Sequence, residues 1–252
     1  MTADDMLVTL IGKGNVGTNL HAALSMAGHK VQWLSGRGLN AEEIAGHIIV
    51  IAVKDDAIMS VAETVKRHFD TRQASMPNVA SAIPHPLIVH TAGSIPLYAL
   101  PKGRRGVLYP MQTFSKDCIL DFKEIPVFVE AEAEADAAWL EQLAATISNR
   151  VYRLDSERRK HLHLAAVFAC NFVNHCYALA ENCLKEAGLP FDILLPLIDQ
   201  TARKVHTLAP EKAQTGPAVR YDTSVLHRQE QMLAGLPKQI YALMSQSIHE
   251  TQ

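Results

Sequence analysis

Six residues near the N-terminus, Gly12-Lys13-Gly14-Asn15-Val16-Gly17, have the types and spacing to cradle a pyrophosphate. In a G-x-G-x-x-G run the first glycine permits a tight turn and the second lets an anion approach the backbone. The third allows close helix–strand packing, and the amides at the helix start face the phosphates. Glycines also serve plain turns, so the surroundings decide. The run follows the apolar segment Leu7 to Ile11 and opens one in which Val16, Leu20, Ala23, Leu24 and Ala27 recur at helical spacing. That context predicts a dinucleotide site.

The next strand-like segment, Val31 to Leu34, should end beside the adenosine ribose. An NAD site usually places a carboxylate there, some 20 residues beyond the glycines, to hold the ribose hydroxyls. Between His29 and Asn40 there is none, and the segment ends in Ser35-Gly36-Arg37. A hydroxyl and a guanidinium suit a 2′-phosphate, since Arg offers paired donors to phosphate oxygens, and NADP is the expected cofactor. After the third apolar run, the Val53 and Lys54 backbone is placed beside the cofactor, while Asp55 and Asp56 are read as caps of the following helix.

Three further stretches carry groups that could handle a substrate. The loop His90-Thr91-Ala92-Gly93-Ser94 combines small and polar residues and could admit a nicotinamide ring or be a simple turn. The segment Tyr109 to Ser115 offers Gln112 and Thr113, which with Ser94 are the candidate substrate contacts. In a long helix-like stretch, His163, Asn171, Asn174 and His175 occur amid Leu164, Val167, Phe168, Phe172 and Val173. Polar groups on a helix that is apolar nearly all round need partners or an aqueous cleft. His163 is the candidate proton donor and Asn171 the candidate substrate-orienting amide, against the alternative of a hydrogen-bonded core.

The elements positioning these groups alternate. Apolar runs at 7–11, 31–34, 48–53, 87–90, 106–109, 127–129 and 151–154 read as strands, with helices over 16–27, 57–69 and 132–148. Ile48 to Val53 has no polar alternation, the mark of a parallel strand covered on both faces. The pattern is that of an α/β, doubly wound, mostly parallel Rossmann domain spanning residues 1–154. From Asp155 no strand-like run returns, and residues 155–252 read as an all-α domain. It opens with a helix of roughly thirty residues, about 45 to 50 Å long at 1.5 Å per residue. Helices near 191–208, 222–233 and 237–248 follow.

Composition narrows the partners. A formal net charge of -2 provides no basic field for phosphate backbones or anionic lipid, so neither nucleic acid nor membrane is an expected partner. The longest late apolar run, Leu164 to Cys170, is too short to span a bilayer, and Met1 to Ile11 reads as a strand and its lead-in, not a signal peptide. Cysteines 118, 170, 176 and 183 form no Cys-x-x-Cys pair and none of the 12 histidines pairs with them at finger spacing. No metal site is expected, and a reduced, cytoplasmic protein is.

The chain resembles Rossmann-like NADP oxidoreductases related to pyrroline-5-carboxylate reductase and to deazaflavin-dependent NADP oxidoreductases, with a C-terminal helical domain of unknown function. The resemblance rests on Gly12 to Gly17, Ala52-Val53-Lys54-Asp55, His90 to Ser94, Tyr109 to Phe114, the stretch His163 to Phe172, and Thr215-Gly216-Pro217 with Arg220 and Asp222. It implies a C-terminal domain similar to that of 6-phosphogluconate dehydrogenase and a homodimer built on it. Hydroxy-acid dehydrogenases of this wider group carry a lysine four residues before an asparagine on the long helix. Here Lys160 is followed at that distance by Leu164, so that mechanism does not transfer. The Gly/Ser-rich helix start of pyrroline-carboxylate reductase is also absent. The expected activity is hydride transfer between NADP(H) and a small carbonyl or imine; the alternative is a nonenzymatic NADP(H)-binding sensor or scaffold.

Overall fold

The computed structural model describes residues 6–75 and 85–251. Seven strands form one sheet: β1 (Leu7–Ile11), β2 (Lys30–Leu34), β3 (Ile48–Ile51), β4 (Leu87–His90), β5 (Arg105–Pro110), β6 (Val127–Ala131) and β7 (Val151–Arg153). Their order is β2-β1-β3-β4-β5-β6-β7, and every neighbouring pair is parallel except β5 and β6. The expected α/β, doubly wound, mostly parallel sheet is observed.

The pleat explains the unalternating runs. Successive side chains of a strand point to opposite faces. Ile48 and Val50 of β3 join a core with Leu20 and Leu24 of α1 (Asn15–Met26) and Leu140 and Leu143 of α3 (Glu134–Ile147). Ile49 and Ile51 point the other way and pack with Ile58, Val61, Val65 and Phe69 of α2 (Ile58–Ser75). Both faces are dry, so every residue of β3 must be apolar.

Beyond β7 the chain is helical. The longest helix, α4 (Ser156–Glu186), contains a π-helical stretch at Val167–Phe172. Its length of 31 residues and a mean hydropathy of 1.3 over an 18-residue window are enough to cross a membrane, which the interrupted run Leu164 to Cys170 alone is not. Next come α5 (Leu195–Lys204), α6 (Pro210–Ala213), α7 (Thr223–Gln231), capped by the Asp222 carboxylate, and α8 (Gly235–Glu250).

The chain divides into two compact units between Cys170 and Asn171, inside α4, later than the change of texture at Asp155. The first turns of α4 belong to the sheet's unit because they are bolted to it. Arg159 is fully buried, paired with Glu130 of β6, and its Nη2 donates to the Ile95 carbonyl at 2.7 Å. The Ser156 hydroxyl donates to Glu130 at 2.8 Å and accepts from the Leu97 amide at 2.8 Å.

Candidate functional site

At the carboxyl ends of β1, β2 and β3 the first unit opens into a cavity of about 790 Å³. It is lined by the glycine-rich turn from Gly12 to Val16, by Ser35-Gly36-Arg37, and by Ala52-Val53-Lys54. Ala57, Thr91 and Lys116 complete it. Gly17, the remaining residue of the motif, is buried behind the turn.

The three motif glycines are needed for three different reasons. Gly12 has φ of 128°, in the region that favours glycine, and a Cβ on it would lie 2.1 Å from the Ala52 carbonyl oxygen. A Cβ on Gly17 would lie 2.2 Å from the Gly12 carbonyl oxygen, so α1 packs onto the turn only without a side chain there. Gly14, by contrast, has nothing within 4 Å of the space its Cβ would fill. It caps α1 without a side-chain hydrogen bond, so the first-turn amides face an open cradle.

Trp33 braces this turn from β2. Its indole N–H donates to the Gly12 carbonyl at 2.9 Å, His21 stacks on its ring at 4.2 Å, and the Lys13 ammonium lies 5.2 Å from the ring centroid. A Cβ on Gly36 would come within 2.7 Å of Val53 Cγ1, so glycine lets the loops after β2 and β3 converge. The Ser35 hydroxyl lines the cavity but shapes its own turn, accepting from the Arg37 amide at 3.2 Å and donating to the Arg37 carbonyl at 3.1 Å. Lys13, Arg37, Lys54 and Lys116 make no ion pair with a described carboxylate.

The other predicted residues are placed as follows. Ser94 donates to the Asp55 carboxylate at 2.7 Å, which ties the loops after β3 and β4 together. Asp55 and Asp56 both stand in the first turn of the short helix Asp55–Ala57, where acidic charge is favourable, though Lys54 is its N-cap and no side-chain cap hydrogen bond forms. Gln112 and Thr113 are exposed outside the cavity lining, and the Gln112 side-chain oxygen accepts from the Thr113 amide at 2.8 Å. His163 is half-buried, and its Nδ1 lies 3.1 Å from the hydroxyl of Tyr109, at the end of β5. A Cβ on Gly93 would fall 2.5 Å from that Nδ1 and 2.9 Å from Tyr109 Cζ, so the glycine admits the pair. Asn171 opens the second unit, exposed.

Two buried titratable groups shape this edge. His90 is fully buried and its pKa is lowered to about 4, mainly by desolvation and then by the Arg159 charge, with the Pro96 backbone working against both. It is a neutral loop anchor whose Nδ1 accepts from the Ala92 amide at 3.2 Å. Burial raises the Tyr109 pKa and Arg159 opposes it, so Tyr109 is a phenol at neutral pH. Sequence reasoning missed Arg159, Trp33 and Lys116 and gave Tyr109 no role of its own. Tyr109 opens a segment it singled out and Lys116 directly follows that segment, whereas nothing in the spacing marks Arg159 as buried.

Fold and cavity together define a Rossmann-type dinucleotide-binding protein with a C-terminal helical region. The family described as a domain of unknown function, DUF2520, matches residues 125–248. A Bacteroides fragilis structure described as a putative NADP oxidoreductase is 42% identical, covering 99% of this chain and 100% of that one, with a TM-score of 0.84. The chain therefore belongs to the same Rossmann-fold family as the Bacteroides protein. A Thermotoga maritima protein (19% identity, 96% and 97% coverage, TM-score 0.68) shares the fold. So does Plasmodium falciparum pyrroline carboxylate reductase, solved with NADP bound (12%, 98% and 100%, 0.60). No curated protein matches the chain.

Proposed function

We propose that the chain is an NADP-dependent oxidoreductase that moves a hydride between the nicotinamide and a small carbonyl or imine. The observation that carries this reading is the cavity itself: an open cradle at Gly14 beneath the α1 amides, with Ser35 and Arg37 where an NAD site would carry a carboxylate. These residues fit NADP(H). Gly12 to Gly17 would hold the pyrophosphate, Arg37 the 2′-phosphate within a turn shaped by Ser35, and Val53 and Lys54 the cofactor's flank. The Bacteroides protein's description and the NADP in the Plasmodium reductase agree with that choice.

When bound, NADPH supplies the hydride, and the chain must supply one proton to the reduced oxygen or nitrogen. His163 is the proposed donor. The Tyr109 phenol can donate to Nδ1 of the neutral ring or accept from Nδ1–H of the imidazolium, so it orients the ring in both states and leaves Nε2 to exchange the proton. Ser94, Gln112 and Thr113, all in the first unit, are the proposed secondary substrate contacts.

We further propose a soluble, cytoplasmic homodimer. Of the described residues from 171 on, only Ala218 is buried, while Leu197, Leu236 and Leu243 are each more than 60% exposed. A second copy of this helical unit, rather than lipid, is the cover that suits an oxidoreductase family of this fold.

NADPH and NADH titrations followed by a carbonyl and imine panel, read as NADPH oxidation, test the reading. Tighter binding of NADPH and turnover on at least one member are expected. Binding without turnover on any would favour a sensor, and equal affinities would remove the NADP assignment. His163→Gln should keep folding and NADPH affinity while lowering turnover by roughly 10²- to 10⁴-fold, the range for a positioned acid or base.

A further inference from the structure

The glycine-rich turn carries its own cation, Lys13, yet Lys13 lies over the Trp33 ring. A different cation reaches the same cavity from far along the chain. Lys116 follows β5 and lines the cavity beside Gly12, Gly14 and Asn15. What brings it there is a buried amide on α1. Asn19 is fully buried, and its Nδ2 donates to the Asn15 carbonyl at 3.1 Å and to the Ser115 carbonyl at 2.8 Å. Its Oδ1 accepts from the Leu120 amide at 3.0 Å. One side chain thus grips both ends of the segment 115–120 and ties it to the first turn of α1. An interior asparagine is unfavourable in a helix, and this one has its hydrogen bonds satisfied at a place where it fixes a loop instead of filling a core.

We infer that Lys116 binds the cofactor's pyrophosphate and that Asn19 is the positioning residue that holds it there; this rests on reading the cavity as an NADP(H) site. The placement favours the pyrophosphate over the 2′-phosphate. The segment bearing Lys116 is clamped to the helix whose first amides face the cradle, whereas Arg37, the proposed 2′-phosphate reader, comes from the loop after β2. Lys116 is exposed and pairs with no described carboxylate, so its charge is available to an anion, and its removal leaves the core untouched.

The test is titration of the full chain and its variants with NADPH, NADH, ADP and 2′-AMP. Lys116→Met should weaken NADPH, NADH and ADP by the same factor, about tenfold for one charge-assisted contact. It should leave 2′-AMP unchanged, and Lys116→Arg should restore most of the loss. Asn19→Ala should weaken NADPH in the parent but add nothing in the Lys116→Met background, because it acts through Lys116. Unchanged NADPH affinity in Lys116→Met, or a loss confined to NADPH and 2′-AMP, overturns the pyrophosphate assignment. Additive losses in the double variant overturn the positioning role. A parent that binds none of the dinucleotides overturns the cofactor reading itself, an outcome separate from failure of Lys116 alone.

Discussion

The two units of this chain handle their apolar surface in opposite ways. In the first, both faces of the sheet are covered from within the same sequence, and all four residues of β3 are buried. In the second, Ala218 alone is buried among the described residues, and leucines of α5 and α8 stand exposed. The first has the means to specify its own rigid site, as the glycine contacts require. The second leaves apolar side chains exposed, which is why the homodimer proposal is attached to it and the cofactor site is not.

The sharpest way to break that contrast is to attack the first unit where it has no slack. Gly12→Ala places a methyl group 2.1 Å from the Ala52 carbonyl oxygen at a φ of 128°. It should destabilise the first unit by at least about 3 kcal/mol or abolish folding, read by thermal unfolding. Gly14→Ala, two residues on, meets nothing within 4 Å. It should leave the melting temperature near the parent's yet weaken NADPH about tenfold, since its methyl group occupies the proposed cradle. Equal melting losses in the two variants would refute the separation of structural from functional glycines.

His90 offers a second test of the self-contained unit. Its folded pKa of about 4 lies below the ordinary value of 6.5, so between these values the unfolded chain binds the extra proton and the native chain does not. The contribution is complete above pH 6.5, declines as the pH falls through the window, and is gone below about 4. The span corresponds to roughly 3 kcal/mol. His90→Asn, which retains an acceptor for the Ala92 amide, should flatten the denaturant midpoint between pH 6.5 and 4. An unchanged pH profile would show that His90 does not set it.

For the second unit the test is assembly. Leu197→Asp and Leu243→Asp, made separately, change side chains that are 63% and 66% exposed within one chain. In a monomer each should matter by no more than about 0.5 kcal/mol. If a second copy covers them, each buries an unpaired carboxylate and should weaken association by roughly 2 kcal/mol or more. Light scattering at micromolar concentration should give twice the chain mass for the parent and a shift toward the single mass for the variants. A monomeric parent would remove the proposal.

Much of the first unit was legible in the sequence, because a strand dry on both faces leaves an unbroken apolar run and the glycine motif sits directly after one. All seven strand positions and the residues Gly12 to Gly17, Ser35, Arg37, Val53 and Lys54 were read from such local signals. The groups missed are those whose meaning is purely tertiary. Lys116 looks like any surface lysine until Asn19, 97 positions earlier, grips the segment that carries it. Arg159 looks solvated, and its burial depends on Glu130 and the Ile95 carbonyl, neither adjacent in sequence. The compact division inside α4 is hidden for the same reason, since helical spacing continues unchanged through Cys170.

The most selective prediction concerns the choice between the two cofactors. Arg37 lies at the cavity rim after β2, with no described carboxylate paired to it, next to a serine whose hydroxyl is already spent on the turn. The guanidinium is thus the only group in Ser35-Gly36-Arg37 with side-chain donors left for a 2′-phosphate, and a charge-assisted pair of this kind is worth about 1.5 to 3 kcal/mol. Arg37→Ala should therefore weaken NADPH roughly ten- to hundredfold and leave NADH unchanged, because NADH has no 2′-phosphate to lose. Ser35→Ala should act more weakly, by loosening the turn rather than by removing a contact. The comparison with Lys116→Met makes the result specific: one cation should govern the choice between cofactors and the other the affinity for both. If Arg37→Ala lowers NADH and NADPH alike, Arg37 reads the shared part of the dinucleotide, and the preference for NADP must come from elsewhere in the loop after β2.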